Sequence, residues 1–332
     1  MVKFLVVRFS SIGDIILTTP VVRCLKNQVT GAKIHYLTKS RYASIVKTNP
    51  YIDKVHELNN NLGELIKKLK QENFDYVIDL HRNVRTLRVK ASLHRISYSF
   101  HKLNIKKWLL VNFKRNLLPD KHIVDRYMDT LQMFSVTNDE KGLDFFIPSS
   151  EEVNVAELLG EKPEKLIVIV VGGGLFTKQI PEEKIIELIH QLDYKIVLIG
   201  GKEDTNKAES IFLKTDGRKV FNLTGKLNLG KSASLIRQSD IVITPDTGMM
   251  HIAAAYKKNI VSVWGNTIPE FGMYPYFPGP FSKAYEVQGL SCRPCSKIGF
   301  SACPKKHFNC MQKQDTKNIA NYINNIFKVP QQ

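Results

Sequence analysis

The chain has 332 residues, 43% hydrophobic and 24% charged, a balance that argues against extensive disorder and a length that suits two ordinary domains. Lys and Arg outnumber Asp and Glu by 48 to 31, a net charge of +17. Such an excess points to an anionic partner (a phosphorylated substrate, a membrane surface or nucleic acid) or to a basic solubilising surface. No apolar run approaches the roughly 20 residues of a membrane span. Arg8 and Asp14 interrupt the apolar stretch between Met1 and Pro20 before a signal-peptide core can form, so a cytoplasmic location is expected.

In chain order, the first βα series opens with an apolar run at Lys3 to Arg8, followed by Ser10-Ser11-Ile12-Gly13-Asp14 and a helical pattern through Leu25. Further strands are predicted at 32–38, 54–58, 75–80 and 95–100, with helices at 62–72 and 123–134. A polar stretch between Phe146 and Lys165 marks a boundary, giving expected domains at 1–158 and 159–332. The second series starts with Leu166 to Val171, a continuous apolar run of the kind buried on both faces of a parallel sheet. Helices are predicted at 181–192, 205–214, 232–238, 249–256 and 317–327, and strands at 195–199, 219–223, 241–244 and 260–264. Alternating strands and helices define an α/β chain of two Rossmann-like parallel-sheet domains, with ligands at the carboxyl ends of the strands. The last helix is expected to pack back on the N-terminal domain.

Three strand-to-helix turns carry chemistry. Ile241 to Ala255 reads IVITPDTGMMHIAAA, a buried strand ending in Asp246-Thr247-Gly248. Unpaired N–H groups at the following helix start suit a phosphate; Thr247 can cap the helix, and His251 lies in its first turn. The same residues also fit an ordinary capped helix. Gly172-Gly173-Gly174 ends the first strand of the second series and leads to Lys178, a point charge suited to a diphosphate. Asp14 falls near a helix start at the sheet's carboxyl edge. It can serve there as a general base, or simply complement the helix dipole.

In order and spacing, RFSSIGDIILTTP, DLHRNVRT (Asp79 to Thr86), GGGLFTKQIP, the Leu223 to Leu227 stretch and DTGMMHIAAA resemble glycosyltransferase family 9 over nearly the whole chain. The resemblance implies a GT-B fold whose two domains face a central cleft. It implies inverting transfer of a sugar, usually a heptose from ADP-heptose, to the lipopolysaccharide inner core. Asp14 matches the family's proposed base, and Lys178 its diphosphate-binding lysine. Asp246, Thr247, Gly248, Met249 and His251 match its phosphate-binding helix start, with Gly173, Gly174 and Thr177 in the glycine turn. Glu203 or Asp204 falls where the family places an acid on the ribose, and Leu227 where it places an adenine contact. Ser11, Gly13, His81, Arg82 and Arg85 are the expected acceptor-side residues. Ile180 stands where the family often has Trp, and His81 where Gln is common, which bears on the substrates more than on the reaction class.

No Asp-x-Asp pair occurs in the sequence, so fixed positive groups are expected to stabilise the leaving diphosphate without a metal cofactor. From His81 to Arg126 there are twelve Lys or Arg against Asp120 and Asp125, a window of +10 that includes Trp108. An acceptor groove for an acidic glycolipid with peripheral contact to an anionic membrane is expected there; a solvated helical hairpin is the plainer reading. Nucleic acid is not expected, since no recognised nucleic-acid module accompanies the charge.

Gly225 to Ser232 fits the P-loop pattern, although Leu227 and Leu229 would crowd a loop that must wrap phosphate. Cys292, Cys295, Cys303 and Cys310, with His307 among them, leave structural zinc, reduced thiols and a disulfide open; Cys24 is expected in the core. Two other functions compete with the transferase: another GT-B nucleotide-sugar enzyme such as an epimerase, and a non-catalytic anionic-glycolipid-binding protein.

Overall fold

The computed structural model describes residues 1–328, which divide into two compact units. The first comprises 1–104 and 119–146, and the second 105–118 and everything described from Ile147 onward. Residues 147–158 thus cluster with the second unit rather than the first, as does an excursion from the middle of the first half. Packing explains both. Glu152 accepts hydrogen bonds from Ser234 (2.6 Å) and Arg237 (2.7 Å), and Leu110 packs with Ile268 and Phe271.

The first unit is a five-stranded parallel sheet in the order β3-β2-β1-β4-β5. Its strands are β1 (Val2–Val7), β2 (Ala32–Lys39), β3 (Lys54–Leu58), β4 (Tyr76–Asp79) and β5 (Ile96–Ser99). The register sets Val7 beside both Leu37 and Asp79, and the winding of the sheet reverses between β1 and β4 while every strand stays parallel. The expected first helix is broken into Ile12–Ile16 and Thr19–Gln28, the second opening on Thr19-Pro20, where a missing N–H costs nothing. Helix Val84–Leu93 lies outside the elements that the sequence predicts. Its apolar Val84 and Leu87 are exposed and only Thr86, Val89 and Leu93 are buried, so its inner face is too narrow to show in the sequence pattern.

The second unit has six parallel strands in the order β11-β10-β9-β6-β7-β8. They are β6 (Leu166–Val170), β7 (Lys195–Ile199), β8 (Val220–Asn222), β9 (Ile241–Pro245), β10 (Asn259–Trp264) and β11 (Lys283–Glu286). Counted from β6, this is the doubly wound 3-2-1-4-5-6 order, with its switch point between β6 and β9. Every residue of β6 and β9 is buried, as expected for strands covered on both faces. Helix Thr316–Lys328 places Ile319, Ala320, Ile323 and Ile326 in this unit's core. β11 is a short edge strand with one buried residue, too weak a signal to stand out in the sequence.

Candidate active site

Both switch points carry the residues singled out by the motifs. In a doubly wound sheet the loops on either side of the reversal diverge and open a crevice at the strands' carboxyl ends.

In the second unit, the loops after β6 and β9 meet there. The Lys178 ammonium lies 2.6 Å from the Asp246 carboxylate, which also accepts a hydrogen bond from Thr267 Oγ1 at 2.9 Å. Gly173 lies against Thr247: a Cβ there would sit 3.6 Å from the threonine methyl and 3.3 Å from Gln179, whose amide holds the Gly173 carbonyl at 2.9 Å. A Cβ on Gly174 would meet nothing within 4 Å, so this stretch of backbone is open. Asp246, Thr247, Gly248 and Met249 are partly exposed at the start of helix Gly248–Ala255, while His251 is buried within its first turn. Thr247 does not cap the helix with its side chain. Its hydroxyl lies 3.2 Å from that of Thr244.

The two acidic candidates separate cleanly. Asp204 is buried, accepts the Gly201 N–H at 2.9 Å, and presses on Gly172 so closely that a Cβ there would come within 1.9 Å of its carboxylate. Burial first, and then the Glu203 charge, pushes the Asp204 carboxyl upward despite that hydrogen bond. It shapes the glycine turn. Glu203 is exposed and can reach a ligand; Leu227 is half-buried. Thr177 is also committed to structure: its hydroxyl accepts the Phe300 N–H at 2.8 Å, and its own N–H reaches the Phe300 carbonyl at 3.1 Å. Lys207, which the motifs did not mark, donates to the Val171 carbonyl at 3.2 Å and the Ile180 carbonyl at 2.5 Å, bracketing the turn that carries Lys178.

In the first unit, Asp14 sits in the opening turn of helix Ile12–Ile16, with Ser11 at the cap. Its Oδ2 accepts from the Ser11 N–H (3.1 Å) and hydroxyl (2.8 Å), and its Oδ1 pairs with Arg8 Nη2 at 2.5 Å. Arg8 is buried and donates in addition to the Leu80 carbonyl at 2.5 Å and the Tyr127 hydroxyl at 3.0 Å. Burial pushes the Asp14 carboxyl upward; the Arg8 charge and the Ser11 hydrogen bonds more than offset it, so the group lies below its ordinary value and is ionised at neutral pH. In the sequence Arg8 stands out only as an interruption of an apolar run. A lone Arg inside a strand-end run, six residues before an acid, is the signal that could have revealed the pair.

Across the reversal, buried Asp79 accepts the N–H groups of His81 (3.1 Å) and Arg82 (2.7 Å) and pairs with Lys90 at 3.1 Å. This holds His81 edge-on to Phe9, 5.4 Å between rings, with Nδ1 buried and no partner among the described residues. Burial, and next the Arg8 charge, lowers the His81 pKa to about 4. Gly13 is buried in the opening turn; Arg82 and Arg85 are exposed, Arg82 donating to the Phe100 carbonyl at 3.1 Å.

The P-loop reading fails on geometry. Asn228 Oδ1 already takes the Lys231 N–H at 2.9 Å, and Glu151 lies against Gly230 while accepting from Asn228 at 3.0 Å, so a carboxylate stands where a phosphate would have to bind. The four clustered cysteines are free thiols in the structure, as is Cys24, which is buried in the core. Among the described residues, no three donor atoms drawn from that cluster converge within 4.8 Å. Burial, then the other thiols, raises Cys310 to about 11, and Lys114 donates to the Cys292 (3.2 Å) and Pro294 (2.7 Å) carbonyls.

Two parallel doubly wound units, one of them with a lysine, an open glycine turn and a helix start at its switch point, define an α/β protein of the GT-B class. Comparison with known proteins narrows the class. The chain belongs to glycosyltransferase family 9 (heptosyltransferase), whose family model matches residues 62–306. It is 27% identical over 288 residues to lipopolysaccharide heptosyltransferase 1 of Campylobacter coli, covering 80% of this chain and 84% of that one. It is 25% identical over 284 residues to lipopolysaccharide heptosyltransferase 3 of Escherichia coli K12, covering 77% and 80%. Among solved structures, ADP-heptose lipopolysaccharide heptosyltransferase II of E. coli shares the fold, with a TM-score of 0.73 over 98% of both chains at 17% identity.

Proposed function

We propose that this glycosyltransferase moves a heptose from ADP-heptose to an acidic lipopolysaccharide inner-core acceptor, with inversion and with no metal cofactor. The observation that carries the reading is the Lys178–Asp246 pair beside the open glycine turn and the helix start at Thr247 to Met249. Asp246 uses one of the three ammonium donors of Lys178 and fixes its position, leaving two for phosphate oxygens. The helix N–H groups add positive potential from the other side of the switch point. As the bond between anomeric carbon and diphosphate oxygen breaks, the electron pair goes to the diphosphate, where these fixed groups stabilise it. The acceptor hydroxyl attacks the opposite face of that carbon, and ionised Asp14 takes its proton. Glu203 holds the ribose, and His81, Arg82 and Arg85 orient the acidic acceptor.

Helix Asn104–Phe113 supports a peripheral membrane contact at a cytoplasmic face. Ile105, Trp108 and Phe113 are largely exposed, Trp108 and Phe113 are in edge-to-face contact at 5.3 Å, and exposed Lys106 and Arg115 flank them. Apolar side chains at a basic rim suit an anionic lipid surface. Among the described residues no helix is long and apolar enough to cross a membrane.

The test is transfer from ADP-heptose to an inner-core acceptor in excess EDTA, paired with thermal shifts for ADP, UDP and GDP. Undiminished turnover with EDTA and a shift largest for ADP support the reading. Loss of turnover restored by magnesium, or a larger shift with another nucleotide, would sink it.

A further inference from the structure

We infer that His35, His56 and Glu72 form a binding site for one divalent ion of the zinc class, on the first unit and away from the transfer chemistry. Among the described residues they are the one group of three or more His, Cys, Asp or Glu side chains whose donor atoms all lie within 4.8 Å of one another. His35 Nδ1 is 3.0 Å from His56 Nε2, and the Glu72 oxygens are 3.8 Å from the first and 4.0 Å from the second. Ligand atoms around a tetrahedral zinc stand about 3.3 Å apart, so shifts of well under 1 Å would close the set on an ion.

The fold builds this convergence deliberately. The register of β2 and β3 pairs Leu37 with His56 and His35 with Lys54, which puts both imidazoles on one face of the sheet. Glu72 closes helix Leu62–Gln71, and Lys3 Nζ pins its carbonyl at 2.7 Å. The Phe74 ring stands edge-on to both imidazoles, at 5.2 and 6.1 Å, and walls the site with apolar surface. His35 and His56 are 6% and 7% exposed. Glu72 and Phe74 precede β4, so the cluster lies toward the amino ends of the strands, opposite the edge that holds Asp14 and Asp79.

Each Glu72 oxygen is beyond hydrogen-bond distance of the ring nitrogens, so the carboxylate faces the imidazole pair without bonding to it. The ammoniums of Lys3 and Lys54 oppose a dication, and the Glu72 and Asp53 carboxylates favour one. Lys54 pairs with Glu72 Oε1 at 2.5 Å, leaving Oε2, the oxygen nearer His35, to face the ion. Water completes the coordination.

The experiment strips the full chain with a chelator and titrates it with zinc(II) against a chromogenic competitor, then with cobalt(II) followed by absorption. Expected are one equivalent bound through this cluster and visible cobalt bands without a near-ultraviolet thiolate band. His56→Gln and Glu72→Gln should each weaken binding by at least about 10- to 100-fold, the loss usual for weaker, outer-shell changes. Cys292→Ser/Cys295→Ser should leave it intact. No zinc binding by the wild type, unchanged affinity in Glu72→Gln, or a signal carried wholly by a thiolate band would overturn the assignment. Glu72→Gln decides the matter should His56→Gln not fold, because Glu72 lies at a helix end. Binding is read without turnover, so failure here leaves the transfer mechanism standing.

Discussion

Lys178 and Asp246 join the loops that follow β6 and β9, with 2.6 Å between ammonium and carboxylate. Their strands are neighbours at the point where the sheet's winding reverses, so residues 68 positions apart in sequence become one fixed dipole at the mouth of the crevice. Lys178→Ala should lower kcat by about two to three powers of ten, as loss of one preorganised transition-state donor does. Asp246→Asn keeps the lysine but frees its position, and a smaller loss in kcat is expected. Steady-state kinetics with saturating acceptor checks both.

Glu203 and Asp204 are adjacent in sequence and opposite in environment. Glu203→Ala should raise KM for the donor with little change in kcat, as removal of uniform ground-state binding does. Asp204→Ala leaves the part-buried Gly201 N–H without its acceptor. That change should lower Tm, with a destabilisation of about 1–3 kcal/mol. Thermal denaturation and donor titration separate the two.

With Asp14 as the proposed base, the Arg8–Asp14 pair should set the acid limb of activity. The lowered Asp14 pKa means that its contribution to stability is present above the unfolded value near 3.8 and is lost as pH falls through the lower folded value. A plot of kcat/KM should therefore stay flat from neutrality down to about pH 4–5 as far as this group is concerned. Arg8→Met removes the offsetting charge while burial remains, so the limb should move to higher pH. Asp14→Asn should abolish turnover and destabilise by about 3 kcal/mol, because buried Arg8 then has no counter-charge.

His81, with its pKa lowered to about 4, binds fewer protons folded than unfolded between pH 6.5 and 4. It should therefore lower stability as pH falls through that window. His81→Gln should flatten this part of the stability curve, measured by denaturant unfolding at several pH values. It should change KM for the acceptor more than for the donor.

Helix Asn104–Phe113 should retain the protein on anionic vesicles but not on neutral ones, with retention weakening as salt rises. Trp108→Glu, at a side chain 55% exposed, should abolish retention without lowering Tm. Equal retention on neutral vesicles would remove the electrostatic part of the reading.

The sequence alone determined the alternation of elements, most of the strands and the motif-bearing turns, because buried parallel strands read as unbroken apolar runs such as Leu166 to Val170 and end abruptly in glycine or Asp-Thr-Gly. It could not tell Glu203 from Asp204 or see the His35–His56–Glu72 cluster, and it passed over Arg8. Nor could it assign 105–118 and 147–158 to the second unit, since that grouping rests on long-range contacts such as Leu110 with Ile268. Tertiary structure decided those points: strand order and register set which distant side chains share a crevice, and burial sets which polar groups remain to meet a ligand.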